Sequence, residues 1–171
     1  MHVTLRAAAQ ALAERLRSHE RPVHVVAHSL GGLIACEALS TQADLPDGRL
    51  VLMGSPVRGS QAARAVASRW YGPPMLGPLA VRELARERDI AWRPAREVGV
   101  IAGSRSVGMG RMFAELALPN DGTVCVDETR LPGAAAHLVL DVSHTGMLFS
   151  TEVAKAAVSF LLRGQFPLGS R

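Results

Sequence analysis

The chain has 171 residues, of which 48 % are hydrophobic and 20 % are charged, a composition typical of one globular domain and not of a disordered chain. Its net charge of +4 is spread along the sequence with no long run of like charges, which argues against a nucleic-acid partner. No apolar run approaches the roughly 20 residues that cross a bilayer, and the N-terminal segment lacks the apolar region of a signal peptide. We therefore expect no stable membrane insertion and a cytoplasmic location. Cys36 and Cys125 lie far apart in sequence, so neither a disulfide framework nor a metal site is predicted.

Apolar periodicity predicts short strands that alternate with helices. The predicted strands are residues 23–27, 49–53, 97–102 and 137–142, and the predicted helices are residues 2–18, a buried helix around 33–39, 60–69, 81–88 and 152–162. Short apolar strands separated by helices predict an α/β fold class, with a parallel sheet flanked by helices in a single domain. In such sheets functional groups gather in the loops that follow the carboxyl ends of the strands.

The densest signal follows the first predicted strand, where the sequence reads Ala27-His28-Ser29-Leu30-Gly31. A strand that runs directly into a small-x-Ser-x-Gly turn and a helix raises a serine nucleophile on a strained backbone. The helix N-terminus then offers free N–H groups, so the Leu30 amide is the predicted oxyanion donor. Ala27 and Gly31 are expected to be small because strand and helix pass close together. The alternative is a serine that only caps the helix, and His28 is expected to point away from Ser29 in a packing role.

A serine nucleophile needs a base and a carboxylate that orients the base. Asp121 lies past the third predicted strand, between Asn120 and Gly122, and no carboxylate directly follows the second strand. Asp121 is therefore the candidate acid. The alternative is a solvated Asp in a tight turn, with Asp127 and Glu128 as nearby substitutes.

The candidate base is His144, which follows the last predicted strand. His137 begins that strand, at the wrong end of the sheet, and is expected to be structural. The remaining histidines, His2, His19 and His24, precede the serine. Ser29, Asp121 and His144 also occur in the chain order nucleophile, acid, base that this arrangement requires.

A Pro- and Gly-rich stretch, YGPPMLGP at residues 71–78, interrupts the predicted elements. We expect a small cap over Ser29 within residues 70–93. Its apolar side chains Trp70, Tyr71, Met75 and Leu76 are the predicted substrate-binding residues, suited to an acyl chain. The alternative is ordinary packing of this stretch against the sheet.

Four pieces of the sequence, AHSLGG, GSPVRGS, NDGTV and SHTGM, occur in this order and resemble the bacterial lipase/esterase-like α/β-hydrolases. The resemblance covers about residues 23–160. It implies an α/β-hydrolase-type sheet and hydrolysis of a small-molecule or lipid carboxylic ester through an acyl-enzyme, with no cofactor. Val57 stands where lipases often carry His, so contacts with the substrate are expected to differ there.

The resemblance also implies strands before residue 23 and an upstream loop that donates a second oxyanion N–H, and no such loop precedes Ser29. We expect an N-terminally truncated fold whose natural chain begins further upstream, or else a homodimer that pairs two copies along the edge strand from Val23 to Ala27. Loss of one oxyanion donor costs about 10²–10³ in rate. A weakly active or inactive hydrolase-derived fragment, or a binding scaffold, is therefore the alternative function, and acyl transfer or thioester hydrolysis through the same triad is a third.

Overall fold

The computed structural model describes residues 4–67, 78–88, 90, 92, 96–107 and 116–167. Within them the helices are α1 (Leu5–Arg17), α2 (Leu30–Thr41), α3 (Gln61–Ala67), α4 (Pro78–Ala85) and α5 (Thr151–Arg163), and the strands are β1 (Val25–His28), β2 (Leu50–Met53), β3 (Val98–Gly103) and β4 (Ala136–Leu140). Each predicted strand and helix overlaps one of these elements, with ends that differ by a few residues.

The four strands form one parallel sheet in the order β1-β2-β3-β4. Ala27 of β1 lies beside Leu52 of β2, which lies beside Val100 of β3, so the strands run nearly in step. Their carboxyl ends consequently meet along one edge of the sheet, which places the loops that follow β1, β3 and β4 close together. The predicted fold class, a parallel sheet flanked by helices, is confirmed.

Successive side chains of a strand point to opposite faces of the sheet, so the buried apolar strands contribute to a separate apolar core on each face. One cluster joins the sheet to α1, α2 and α4 and includes Leu5, Leu16, Leu33, Leu39, Leu50, Leu52, Leu84, Val98 and Val100. The opposite cluster joins Val51 and Ile101 to Val153 and Phe160 of α5. The helices thus cover both faces and hold the carboxyl edge of the sheet in place.

The predicted cap falls partly outside the described residues, as Trp70, Tyr71, Met75 and Leu76 all do. Leu84 of α4 is buried in the core beside the sheet, and its carbonyl accepts the Ser60 N–H at 2.8 Å. α4 therefore packs as an ordinary core helix, and the cap over Ser29 stays a prediction.

Across the described part of the chain, none of the helices combines the length and the apolar character that a bilayer crossing requires.

Candidate active site

Ser29 occupies the turn between β1 and α2 with φ 55° and ψ −124°, a left-handed φ that costs a non-glycine residue free energy. Hydrogen bonds on both sides hold this turn: the Ser29 N–H donates to the Met53 carbonyl at 3.0 Å, and the Ser29 carbonyl accepts the Gly32 N–H at 3.0 Å. The Ser29 side chain makes no capping bond to α2. Its Oγ lies 3.1 Å from Nε2 of His144, so the serine does not act as a helix cap.

Close approach of α2 to the sheet requires a glycine at position 32 and not at position 31. A Cβ placed on Gly32 would lie 2.1 Å from Oγ of Ser55, whereas a Cβ on Gly31 would meet no described atom within 4 Å. The expectation that Gly31 must be small for packing is therefore wrong. The direction in which each helical residue points decides this, and motif spacing alone does not reveal it.

The loop after β3 buries Asp121 in a tight turn. The Asn120 side-chain carbonyl accepts the Gly122 N–H at 2.9 Å, and Oδ1 of Asp121 accepts the N–H groups of Thr123 at 2.9 Å and Val124 at 2.7 Å. Asp121 is 1 % exposed, so it is not the solvated turn residue of the alternative interpretation. Because the backbone occupies Oδ1, Oδ2 is directed toward His144.

Two glycines that sequence reasoning missed make room for this carboxylate. Gly54 directly follows β2, and a Cβ there would lie 3.1 Å from Oδ2 of Asp121 and 3.1 Å from Nδ1 of His144. Gly103 ends β3, and a Cβ there would lie 2.8 Å from Cβ of Asp121 and 2.7 Å from Cε of Met147. A glycine at the end of one central strand and directly after the other is the sequence signal that could have identified them.

His144 connects the acid to the serine. Its Nδ1 lies 2.8 Å from Oδ2 of Asp121, and its backbone N–H donates to the Asp121 carbonyl at 2.9 Å. An ionised carboxylate can only accept, so Nδ1 carries the hydrogen and Nε2 presents its lone pair to the Ser29 hydroxyl. The structure thus brings together the three predicted residues, in an arrangement able to remove a proton from Ser29.

The substitute residues lie elsewhere. The exposed Asp127 carboxylate pairs with Arg130 at 2.9 Å, while the buried Glu128 accepts two backbone N–H groups. Burial raises the pKa of Glu128 above its usual value. His137 lies within β4, with Nε2 2.9 Å from Oγ1 of Thr129. Within the described residues, Asp121 and His144 are thus the acid and the imidazole that line up with Ser29.

Leu30 is the first residue of α2, where backbone N–H groups have no partner within the helix. This position makes its amide available beside Ser29, although its role as oxyanion donor stays a prediction.

Val57 is 0 % exposed and belongs to the core cluster under α2. Its buried side chain offers no surface for a substrate to touch, and the expectation that substrate contacts differ from those of lipases at this position stays a prediction.

Several known proteins share this architecture. The profile of the Alpha/beta hydrolase family matches residues 2–145, and no protein of curated function matches the sequence significantly. The mature lipase BlEst2 of Bacillus licheniformis is 22 % identical, with a TM-score of 0.69 over 95 % of this chain and 75 % of that one. A hydrolase from Pseudomonas aeruginosa PA01 is 18 % identical, with a TM-score of 0.61 over 95 % of this chain and 73 % of that one.

The phospholipase PlaB of Legionella pneumophila is 18 % identical, with a TM-score of 0.56 over 75 % of this chain and 33 % of that one. At these identities the solved structures establish the fold alone. The family match covers most of the sequence and includes both Ser29 and His144. The chain therefore belongs to the alpha/beta hydrolase family, and this membership supports hydrolase activity as its class of function.

Proposed function

We propose that this protein is a serine hydrolase that cleaves carboxylic esters through an acyl-enzyme on Ser29. The observation that carries the proposal is the continuous chain of hydrogen bonds, from Oγ of Ser29 to Nε2 of His144 at 3.1 Å and from Nδ1 of His144 to Oδ2 of Asp121 at 2.8 Å. A hydroxyl, an imidazole and a buried carboxylate in this order activate the hydroxyl for attack.

In the first half of the reaction, Oγ of Ser29 bonds to the ester carbonyl carbon while Nε2 of His144 takes the hydroxyl proton. The Leu30 N–H stabilises the negative oxygen that develops, aided by the positive end of α2. The tetrahedral intermediate collapses, the bond to the alcohol oxygen breaks, and His144 gives its proton to the leaving alcohol. Asp121 stabilises the imidazolium throughout and stays ionised.

In the second half, water attacks the acyl carbon while His144 accepts one of its protons. Collapse of the second intermediate breaks the bond to Oγ, and His144 returns the proton to Ser29. The products are one alcohol and one carboxylic acid for each ester and water consumed. The cycle uses no cofactor.

Exposed apolar side chains occur in the loops that carry the proposed acid and base, which suits apolar esters. Leu118 precedes the Asp121 turn, while Leu148 and Phe149 follow His144, and all three are exposed, Phe149 by 83 %. The similar structures include proteins named a lipase and a phospholipase, which agrees with this preference. Trp70, Tyr71, Met75 and Leu76 remain the predicted acyl-binding residues.

A fluorophosphonate probe tests the proposal because it reacts with an activated serine and does not react with unactivated serines. We expect labelling that peptide mapping assigns to Ser29, together with hydrolysis of p-nitrophenyl esters, and we expect Ser29→Ala to abolish both. Ser104→Ala is the matched control, since Oγ of Ser104 donates to the Leu140 carbonyl at 3.2 Å and lies outside the hydrogen-bonded chain. Labelling at Ser55 or Ser104 with Ser29 unmodified would contradict the assignment, and a chain that takes up no probe would indicate a binding scaffold.

A further inference from the structure

A second histidine contacts the proposed base. His28 is the last residue of β1 and the neighbour of Ser29 in sequence. Its Nε2 lies 3.0 Å from the backbone carbonyl oxygen of His144, and the two imidazole rings lie 4.6 Å apart between centroids, tilted by 45°. Because a carbonyl oxygen can only accept, Nε2 of His28 carries a hydrogen and donates it.

This bond completes the attachment of the His144 backbone. The N–H of His144 is held by the Asp121 carbonyl, and its carbonyl is held by His28. The loop that carries His144 follows β4, whereas His28 ends β1, and β2 and β3 separate these two strands in the sheet. His28 is therefore a direct tether between the serine turn and the loop of the base, across the width of the sheet.

Neutral His28 also suits the chemistry proposed for its neighbour. Burial lowers the pKa of His28, and the nearby His144 lowers it further, while the bond to the His144 carbonyl and the charge of Asp121 oppose these effects. His144 and Asp121 are the titratable groups whose charges act on this ring. The transition state creates an imidazolium at His144, and a second positive ring 4.6 Å away would oppose it.

We propose that His28 is a positioning residue for His144, which it holds by the backbone carbonyl. The inference rests on the proposed function, because it assigns His144 the role of base. His28 touches neither the substrate nor the reacting atoms in this scheme. It keeps Nε2 of His144 within hydrogen-bonding distance of the Ser29 hydroxyl. A displacement of the His144 ring by about 1 Å from this position costs up to about 10²-fold in rate.

Two substitutions distinguish the effect of the hydrogen bond that His28 donates from the effect of its ring. His28→Phe keeps a planar ring and removes the N–H, whereas His28→Gln replaces the ring by a side-chain amide that still donates. We expect His28→Phe to lower kcat for a p-nitrophenyl ester about 10- to 100-fold with little change in KM, because the base is displaced while the substrate still binds. We expect His28→Gln to recover most of this loss. His19→Gln, at an exposed histidine outside the site, should match wild type.

The pH dependence of kcat/KM distinguishes the proposed role of His28 from a role in packing alone, which would not change this dependence. In the wild type, protonation of His144 removes the base, and protonation of His28 places a second positive ring beside it, so kcat/KM should fall with a slope that steepens above one as pH decreases. In His28→Gln only the His144 ionisation remains, and the slope should stay at one over the pH range in which circular dichroism shows a folded protein.

NMR of the histidine rings in the inactive Ser29→Ala variant tests the contact without any turnover. We expect His28 as the Nε2–H tautomer with a pKa below 6.5, and we expect His144→Gln to raise that pKa because the repulsion from His144 is removed. A wild type that takes up no fluorophosphonate would refute the proposed function, whereas the ring titrations would still report the tether. Normal labelling and normal kcat in a folded His28→Phe, or a His28 pKa unmoved by His144→Gln, would overturn the role of His28 and leave the proposed function standing.

Discussion

Asp121 and His144 are joined twice, once through Oδ2 and Nδ1 of the side chains at 2.8 Å and once through the Asp121 carbonyl and the His144 N–H at 2.9 Å. The backbone bond fixes the loop of the base against the loop of the acid and does not depend on the charge of the carboxylate. The side-chain bond sets which nitrogen of His144 carries the hydrogen. These two effects can therefore be separated by a substitution that removes the charge and keeps the shape.

We expect Asp121→Asn to lower kcat for ester hydrolysis by about 10⁴-fold, because an amide that donates to Nδ1 leaves the hydrogen on Nε2, where it blocks proton removal from Ser29. The backbone bond and the turn should persist, so circular dichroism should be unchanged. Steady-state kinetics on a p-nitrophenyl ester measures the effect, and EDTA should change neither variant nor wild type because the proposed mechanism uses no metal.

Asp127→Asn is the matched control, because the Asp127 carboxylate is exposed and pairs with Arg130 at 2.9 Å. It should retain wild-type turnover. Full activity in Asp121→Asn together with loss in Asp127→Asn or Glu128→Gln would transfer the acid role to one of those residues.

Gly31 and Gly32 are adjacent in α2, but substitution by alanine should change the free energy of unfolding differently at the two positions. Gly32→Ala would force a methyl group onto the Ser55 side chain, whose Oγ lies 2.1 Å from the new Cβ position, and overpacking of this kind costs about 1–3 kcal/mol. Gly31→Ala meets no atom of the described residues within 4 Å and should leave the free energy of unfolding unchanged or raise it by up to about 1 kcal/mol. Urea unfolding of the two variants measures the difference.

The double variant Gly32→Ala with Ser55→Gly should regain much of the lost stability, since it removes the side chain that causes the clash. Equal unfolding midpoints for Gly31→Ala and Gly32→Ala would show that α2 does not pack on Ser55 as described.

The elements and the three principal site residues could be predicted because their signals are local. The apolar strand VHVVA, the buried helix after Gly32 and the Asn-Asp-Gly turn are each formed by residues that are contiguous in sequence, so periodicity and turn chemistry reveal them. The proximity of Ser29, Asp121 and His144 then follows from the rule that loops at the carboxyl ends of parallel strands converge.

The remaining features depend on contacts between distant residues. His28 and His144 are 116 positions apart, and only the register of four strands determines that their rings meet. The space that Gly103 leaves for Asp121 also depends on how the loop after β3 folds back over the sheet. The likeness to lipases indicates only that substrate contacts differ at Val57, and the burial of its side chain in the core becomes visible only in the structure.

Acyl-chain preference tests the predicted substrate-binding residues. If Met75 and Leu76 contact the acyl chain, the double variant Met75→Ala/Leu76→Ala should lower kcat/KM for long-chain p-nitrophenyl esters more than for the acetate, because a long chain loses more apolar contact. Fluorophosphonate labelling of Ser29 should be unaffected. Leu162→Ala, at an exposed position on α5, is the control, and an unchanged ester profile in the double variant would refute the cap.

β1 is the edge strand of the sheet in the described part of the chain. The N–H groups of Val23, Val25 and Ser29 donate toward β2, and because successive residues of a strand alternate, the backbone groups of Val26 face outward. The Val26 side chain is 47 % exposed, and β1 carries no Lys, Glu or Pro of the kind that protects natural edges. Such an edge can pair with a second strand.

If the exposed edge of β1 pairs two copies of the chain, the alternative to a chain that begins further upstream, the mass measured by light scattering should rise with protein concentration. Val26→Lys should hold the protein at the mass of one chain, because pairing would bring a charge from each copy to the interface. Val158→Lys adds the same charge at an exposed site on α5, away from β1, and should associate like the wild type. If association brings a second copy to the serine turn, ester turnover per chain should also rise with concentration in the wild type and stay constant in Val26→Lys. A wild type that keeps the mass of one chain at every concentration would contradict the pairing.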